Sequence, residues 1–495
     1  MRWANFIHIY QPTNQAPDIL EQVVNQSYRR VFRGLKDIPS AKLTLNISGA
    51  LSELLVKNGY QDVIDDIRAL AESGRLEFTG TAKYHAFLPY IPADEIERQV
   101  RLNDETNRAI FGASYAPRYF FPPEMAIDPK TAEVIAGLGY QGVILDEISY
   151  NGRVEAVPYD RAMTIATGKG DLVAVFRDRR LSNVIISAVV RTAEAFHSAF
   201  GDEMRKERYL VTAMDGETFG HHRPGLELLL FELMKATDVE HVFVSDLGKM
   251  YPPKDSFIPV PSTWASSEYD IEHKRQFHSW NDPDSVLHAK QWELYRLVLD
   301  TVRSAQNDSG YSRARLKLDP ALASDQFFWA SNRPWWSLEM IEVGAWLLTD
   351  AINELSAPFD GVKTKAQGLY SDIISLGFKW QREGTIRNES HEMREQVRIP
   401  FKERTLEQDK PEVYRAFIDL MRREMLKAAE SRDYERAILW RDAIWKIETK
   451  NDIYDTMHAT DMLRNQLPVG EIETLMDQYK ADYKKIRGGQ AEQRR

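Results

Sequence analysis

Short apolar runs recur through the first half of the chain, at residues 3–9, 43–47, 76–79, 119–121, 142–145, 209–214 and 241–245. The run 209–214 is apolar nearly throughout and reads as a buried strand, and the others are strand candidates of similar length. Several are separated by segments with helical spacing. In 56–71, for example, Val63, Ile64, Ile67 and Leu70 form one stripe. Another helix carries both punctuation marks, with Asp128 as N-cap, Pro129 at its first position and Gly137 or Gly139 to end it. Strand–helix alternation of this kind predicts parallel strands with helices outside, in an α/β barrel or a doubly wound sheet. The runs 163–166 and 172–176, joined by Thr167-Gly168-Lys169-Gly170, predict an inserted hairpin.

Beyond residue 261 the strand rhythm stops. Residues 285–302 and 336–355 are helical, 357–410 are mixed and polar, and Pro400 and Pro411 mark breaks. From 411 onward the pattern is charged and helical, ending in a tail rich in Gly and Arg. Three regions follow: a barrel over 1–260, a helical region over 261–400 and a C-terminal helical segment over 411–495.

Composition narrows the function. The 495 residues are 43% hydrophobic, enough for a large barrel with an appendage. A net charge of −10 argues against a general nucleic-acid binder, which needs a basic surface. There is no cysteine, so thiolate catalysis, disulfide scaffolding and cysteine-based zinc sites are excluded. Residues 1–8 lack the apolar core of a signal peptide, and no run approaches the ~18 apolar residues of a membrane span. The expectation is a cytoplasmic protein with no membrane contact.

Candidate chemistry collects at two strand ends. The run ending at Met214 breaks into Asp215-Gly216-Glu217-Thr218-Phe219-Gly220-His221-His222, and in parallel α/β folds that edge carries the reacting groups. The simpler reading is a turn capped by Asp215 or Thr218. Upstream, Tyr119-Phe120-Phe121-Pro122-Pro123 is followed by Glu124, which the prolines would hold with little freedom. The simpler reading there is a surface glutamate at a helix start. Two carboxylates on different strands are the minimum equipment for glycoside hydrolysis, and an apolar surround keeps the acid protonated near neutrality.

Several separated stretches resemble glycoside hydrolase family 57, the α-amylase-like and 4-α-glucanotransferase-like enzymes. They are Phe6-Ile7-His8-Ile9-Tyr10-Gln11-Pro12, Gly74-Arg75-Leu76-Glu77-Phe78-Thr79-Gly80-Thr81, Pro122-Pro123-Glu124-Met125-Ala126 and Met214-Asp215-Gly216-Glu217-Thr218-Phe219-Gly220. A fainter echo is Ala323-Ser324-Asp325-Gln326-Phe327-Phe328-Trp329. The resemblance implies an incomplete parallel (β/α)7 barrel and an α-helical region that helps to close the cleft; the C-terminal helical hairpin lies outside it and is read from the charged helical pattern there. The same resemblance implies Glu124 as nucleophile, Asp215 as general acid/base, an α-glucan substrate, and no metal or cofactor at the centre. One departure stands in the first stretch: Tyr10 occupies a position that is histidine in the family pattern, and a phenol donates a hydrogen bond without becoming cationic.

Other expected substrate contacts are His8, Tyr10, Gln11, His85, Trp264 and Asp325. Trp280, Trp329, Trp335 and Trp336 are either sugar platforms or core, and His221 with His222 reads as structural before it reads as a metal pair. Residues 425–448 are similar to the UVR motif, an interaction hairpin, which implies a protein partner or self-association; the alternative is an ordinary charged helical hairpin. Three functions remain open on sequence: an α-glucan hydrolase or glucanotransferase, an enzyme for another α-linked sugar, and a glycan-binding or assembly protein of the same fold.

Overall fold

β1 (Arg2–Ile9) is buried from Trp3 to Ile9 and lies at the centre of the first sheet. It runs parallel to β2 (Leu43–Ile47) on one side and β8 (Tyr209–Asp215) on the other. The register sets His8 opposite both Asn46 and Asp215, so three polar side chains reach one level where the strands end. β3 (Leu76–Phe78) extends the sheet beside β2. The coordinates are a computed structural model and describe residues 1–188, 190–237, 239–332, 335–386 and 411–449.

A second sheet continues the first. Gly80 bridges in parallel to Phe120, with Gly80 N donating to Tyr119 O and Phe121 N donating to Gly80 O, each at 2.9 Å. This carries the wall from β3 to β4 (Tyr119–Phe120), then to β5 (Gly142–Asp146) and β7 (Gly170–Arg177), all parallel. The path β8-β1-β2-β3-β4-β5-β7 is therefore a seven-stranded parallel barrel. It is incomplete at the β7/β8 seam, where Asp178 N donates to Val211 O and Arg177 Nε to Ala213 O, each at 2.9 Å, without a ladder.

Three expectations change. The 163–176 hairpin is not a mere insertion. β6 (Met163–Thr167) is antiparallel to β7, but β7 itself is the seventh barrel strand. The run 241–245 is a strand only at β9 (Glu240–His241), which adds to the start of β1, and a helix begins at Val244. Val244 and Leu247 are both buried, a spacing of three that suits a helix and cannot be told from a strand in so short a run. The helical segment expected over 56–71 also divides, while its stripe of Val63, Ile64, Ile67 and Leu70 lies whole and buried on the second helix. One helix ends at Lys57, Gly59 turns in the left-handed region (φ 79°), and the next spans Gln61–Glu72. The Asp128-capped helix forms over Pro129–Gly137, with Asp128 accepting from Thr131 N.

The chain divides into two compact units, residues 1–221 with 227–390, and residues 222–226 with 391–495. Within the first, helices Val286–Ser304, Tyr311–Ala321, Leu338–Asn353 and Asp360–Glu383 share one apolar core with the barrel. Trp292 stacks on Phe327 at 4.0 Å, and Phe87, from the loop after β3, stacks on Trp280 at 5.1 Å. Loop and helical region also pair through an antiparallel bridge between Ala86 and Ala323. The second unit contains a hairpin of helices Pro411–Glu430 and Tyr434–Thr449, with Met421, Ala428, Trp440, Ala443 and Ile444 buried.

Candidate active site

Pro122 and Pro123 stop β4, and Glu124 follows at φ 61°, ψ 15°, with Met125 also left-handed at φ 50°. A non-glycine residue in that region costs on the order of 1–3 kcal/mol, so the surroundings must hold it there. Met125 N donates to Pro122 O at 2.8 Å and Ala126 N to Pro123 O at 2.9 Å. Trp264 grips both ends of the residue: its backbone N donates to Glu124 O at 3.1 Å, and its indole Nε1 to Glu124 Oε2 at 2.7 Å. The Ile127–Ser262 bridge brings the Trp264 segment alongside. Strain held this firmly leaves one orientation for the carboxyl.

Asp215 ends β8, and both carboxyls are desolvated. Burial pushes Glu124 up to about 8, and the charge of Asp215 pushes in the same direction, while the indole hydrogen bond opposes it. Burial lifts Asp215 to about 6, against the pull of the Arg177 guanidinium. Arg177 is fixed in place by Ala213 O and by Asp146 Oδ2 at 2.8 Å. Because the two carboxyls feel each other, the pair holds one proton near neutrality. The expectation of an acid kept protonated near neutrality is met by Glu124 and not by Asp215, because both carboxyls rise and Glu124 rises further.

A wall of rings stands beside Glu124. His85, itself at φ 57°, packs nearly parallel to both His8 (5.2 Å between centroids) and Tyr10 (4.2 Å), and those two rings are 6.4 Å apart. Its Nδ1 is 4.0 Å from Glu124 Oε1. His8 Nδ1 is 2.7 Å from Asn46 Oδ1, and Asn46 Nδ2 in turn donates to Thr79. That chain makes His8 Nδ1 the protonated nitrogen and leaves Nε2 as an acceptor. Burial lowers His8 to about 4 and holds His85 well below its usual range, so both rings are neutral at pH 7. Tyr10 donates its hydroxyl to Asp325 Oδ2 at 2.8 Å. The helical region supplies Asp325 because Ser324 N and Oγ both bond to His85 O.

Of the expected residues, Glu124, Asp215, His8, Tyr10, His85, Trp264 and Asp325 gather around one barrel mouth. Gln11 stands one layer back. Its Nε2 donates to Glu217 Oε1 at 3.1 Å, and the Tyr28 hydroxyl donates to the same oxygen. Glu217, buried behind the half-buried Glu124 and Asp215, is raised to about 7 by burial and by the charge of Asp215. Sequence reasoning passed over Glu217, although its place two residues after Asp215 was visible. Tyr28, Asn46 and Arg177 carried no local signal, since only the fold brings them in. Trp280 is core, Trp336 packs on Trp380, and His221 Nδ1 bonds Gln26 Oε1 at 2.7 Å. Among the described residues no group of three or more His, Asp or Glu side chains is arranged to hold a metal ion.

An incomplete parallel barrel with coupled carboxyls at the carboxyl ends of its strands defines a class of α/β-barrel proteins with a polar, acid-lined mouth. Residues 5–260 match the family model Glycosyl hydrolase family 57, more than half of the chain, and the protein belongs to that family. It is 24% identical over 306 residues to an alpha-amylase of Pyrococcus horikoshii, covering 59% of this chain and 47% of that enzyme. It is 23% identical over 305 residues to a 4-alpha-glucanotransferase of Thermococcus litoralis, covering 59% of this chain and 45% of that enzyme. The chain thus spans about half the length of these relatives. The solved structure of the T. litoralis enzyme superposes with a TM-score of 0.57 at 16% identity, covering 71% of this chain and 58% of that one. A family 57 branching enzyme of Thermococcus kodakaraensis superposes with a TM-score of 0.58 at 13% identity, covering 75% of this chain and 95% of that one.

Proposed function

We propose that the protein is a retaining α-glucan hydrolase or glucanotransferase in which Glu124 is the nucleophile and Asp215 the general acid/base. The observation that carries this reading is the coupled carboxyl pair, one member clamped by Trp264 and the other on β8 near Arg177. The Glu124 carboxylate attacks the anomeric carbon while Asp215 gives its proton to the departing glycosidic oxygen, forming a glycosyl ester on Glu124. Asp215 then takes a proton from water or from a sugar hydroxyl as that oxygen displaces Glu124, and configuration is retained. The one proton held by the pair is the number this cycle requires. At rest it favours Glu124, and the cycle needs it on Asp215. Positive charge developing on the sugar beside Glu124 favours that transfer, because it stabilises the adjacent carboxylate. Neutral His8 and His85, with Tyr10 and Asp325, are assigned to the sugar hydroxyls.

The resting proton on Glu124 favours a second reading, a sugar-binding barrel that has lost turnover. Purified protein incubated with maltoheptaose separates the two. Shorter products alone indicate hydrolysis, and shorter and longer products together indicate transfer. Bound but unchanged maltoheptaose supports the second reading. We assign the hairpin at 425–448, similar to the UVR motif, to association with a protein partner or a second copy.

A further inference from the structure

Between β7 and β8 the barrel wall has no ladder, and Arg177, the last residue of β7, spans the gap. Its side chain is buried and each of its three nitrogens is committed. Nε donates to Ala213 O at 2.9 Å, Nη1 to Asp146 Oδ2 at 2.8 Å and Nη2 to Asn183 Oδ1 at 3.1 Å. Ala213 lies two positions before Asp215, so the guanidinium is anchored on the strand that carries the proposed acid/base. The guanidinium carbon is also 6.0 Å from the centre of the Trp264 ring, whose indole holds Glu124. We propose that Arg177 is a positioning residue for the second half of the cycle: it holds the end of β8 across the seam and supplies the positive charge against which Asp215 returns as a base. This rests on the retaining mechanism given above.

The charges favour this role. Arg177 and Arg179 both bind Asp146, so two guanidiniums share one carboxylate. Glu147, beside Asp146, is occupied by the Tyr159 hydroxyl and by the backbone N–H groups of Glu155 and Arg179. A positive charge is left over, and it reaches Asp215, whose carboxyl Arg177 pulls down against the effect of burial. Glu124, Glu217, Tyr28 and His8 also lie around Asp215, and none of these four carries a positive charge at pH 7.

The two halves of the cycle use that charge differently. In the first half Asp215 gives a proton, and a nearby cation is no help. Once Glu124 carries the sugar as an ester its own charge is gone, and Asp215 must be a carboxylate to take the proton of the incoming hydroxyl. As that proton moves to Asp215, the hydroxyl oxygen bonds to the anomeric carbon and the bond from that carbon to Glu124 breaks, which returns Glu124 as a carboxylate. Burial opposes an ionised Asp215 at this stage, and the guanidinium offsets it.

The test uses the full chain with maltoheptaose as substrate. Arg177→Met and Arg177→Gln remove the charge, and Arg177→Lys keeps it. Ser182→Ala removes a neutral hydrogen bond at the same seam, the one Ala213 N donates to Ser182 Oγ at 3.1 Å. The neutral variants should lower kcat and KM together, each about tenfold, with kcat/KM at pH 7 within about twofold of the wild type. The acid limb of kcat should move up in the same variants. Arg177→Lys should restore both constants, and Ser182→Ala should lower Tm without splitting them. Neutral variants that lose kcat/KM and Tm while KM holds, neutral variants that never fold, or a lysine variant that splits as they do leave Arg177 a brace of the seam and overturn the proposal. Wild-type protein that binds maltoheptaose without converting it overturns the retaining mechanism, and this inference with it.

Discussion

Glu124 is a glutamate in a backbone conformation that glutamate seldom adopts, beside a second carboxyl, with an indole fixing one of its oxygens. Two consequences follow for its titration. Turnover needs one proton on the pair, so kcat/KM should rise with pH through an apparent value near 6 and fall through one near 8. A profile still rising above pH 9 would contradict the coupled pair. The second consequence concerns stability. Glu124's folded-state value of about 8 lies above the roughly 4.3 of a free glutamate, so the folded protein holds that proton more tightly. The stability this gives is complete below about pH 4 and is lost as pH rises towards 8. Glu124→Gln cannot ionise. Its Tm should therefore exceed that of the wild type by a margin that widens between pH 5 and pH 8, and a constant margin would show that Glu124 titrates normally.

At the scale of elements, strand ends were legible and loop geometry was not. The short apolar-rich runs placed β1, β2, β5 and β8 to within a residue or two, because each is bounded by turn or polar residues at strand length. β7 and β9 were misread because pairing partners, not local pattern, decide whether a hairpin strand joins a barrel or a short run turns into a helix. Glu124 and Asp215 were legible because polar groups break those runs. Tyr28, Asn46 and Arg177 meet them only through the fold. The segment after Asp215 depends on close backbone approach. Ser27 Oγ donates to Gly216 O at 2.9 Å, and Gly220, at φ 105°, lies where a Cβ would stand 1.9 Å from Gln26 O. Gly220→Ala must displace that loop, so Tm should fall by several degrees and kcat with it. An unchanged Tm and kcat would mean the loop accommodates the methyl group and does not position Asp215.

For the whole molecule, one compact unit contains every residue assigned to the chemistry, and the C-terminal hairpin belongs to the other. Chain truncated after Lys410 should therefore keep malto-oligosaccharide turnover within about twofold while losing an associated partner or copy. Sedimentation and activity assays on the same sample check both halves of that expectation, and loss of turnover by a folded truncation would sink it. The helical region was foreseen as helical, yet its tie to the barrel through the Ala86–Ala323 bridge, which brings Asp325 to Tyr10, rests on long-range pairing that no local pattern encodes. Covalent catalysis by Glu124 is the step on which the proposed function depends. Its most direct test is mass spectrometry of peptides after inactivation with a fluorinated α-glucosyl fluoride, which slows release of the glycosyl-enzyme. A glycosyl ester on Glu124 gives a single fluoroglucosyl adduct on the peptide carrying that residue. An adduct on Asp215, or none on a protein that still converts maltoheptaose, would contradict it.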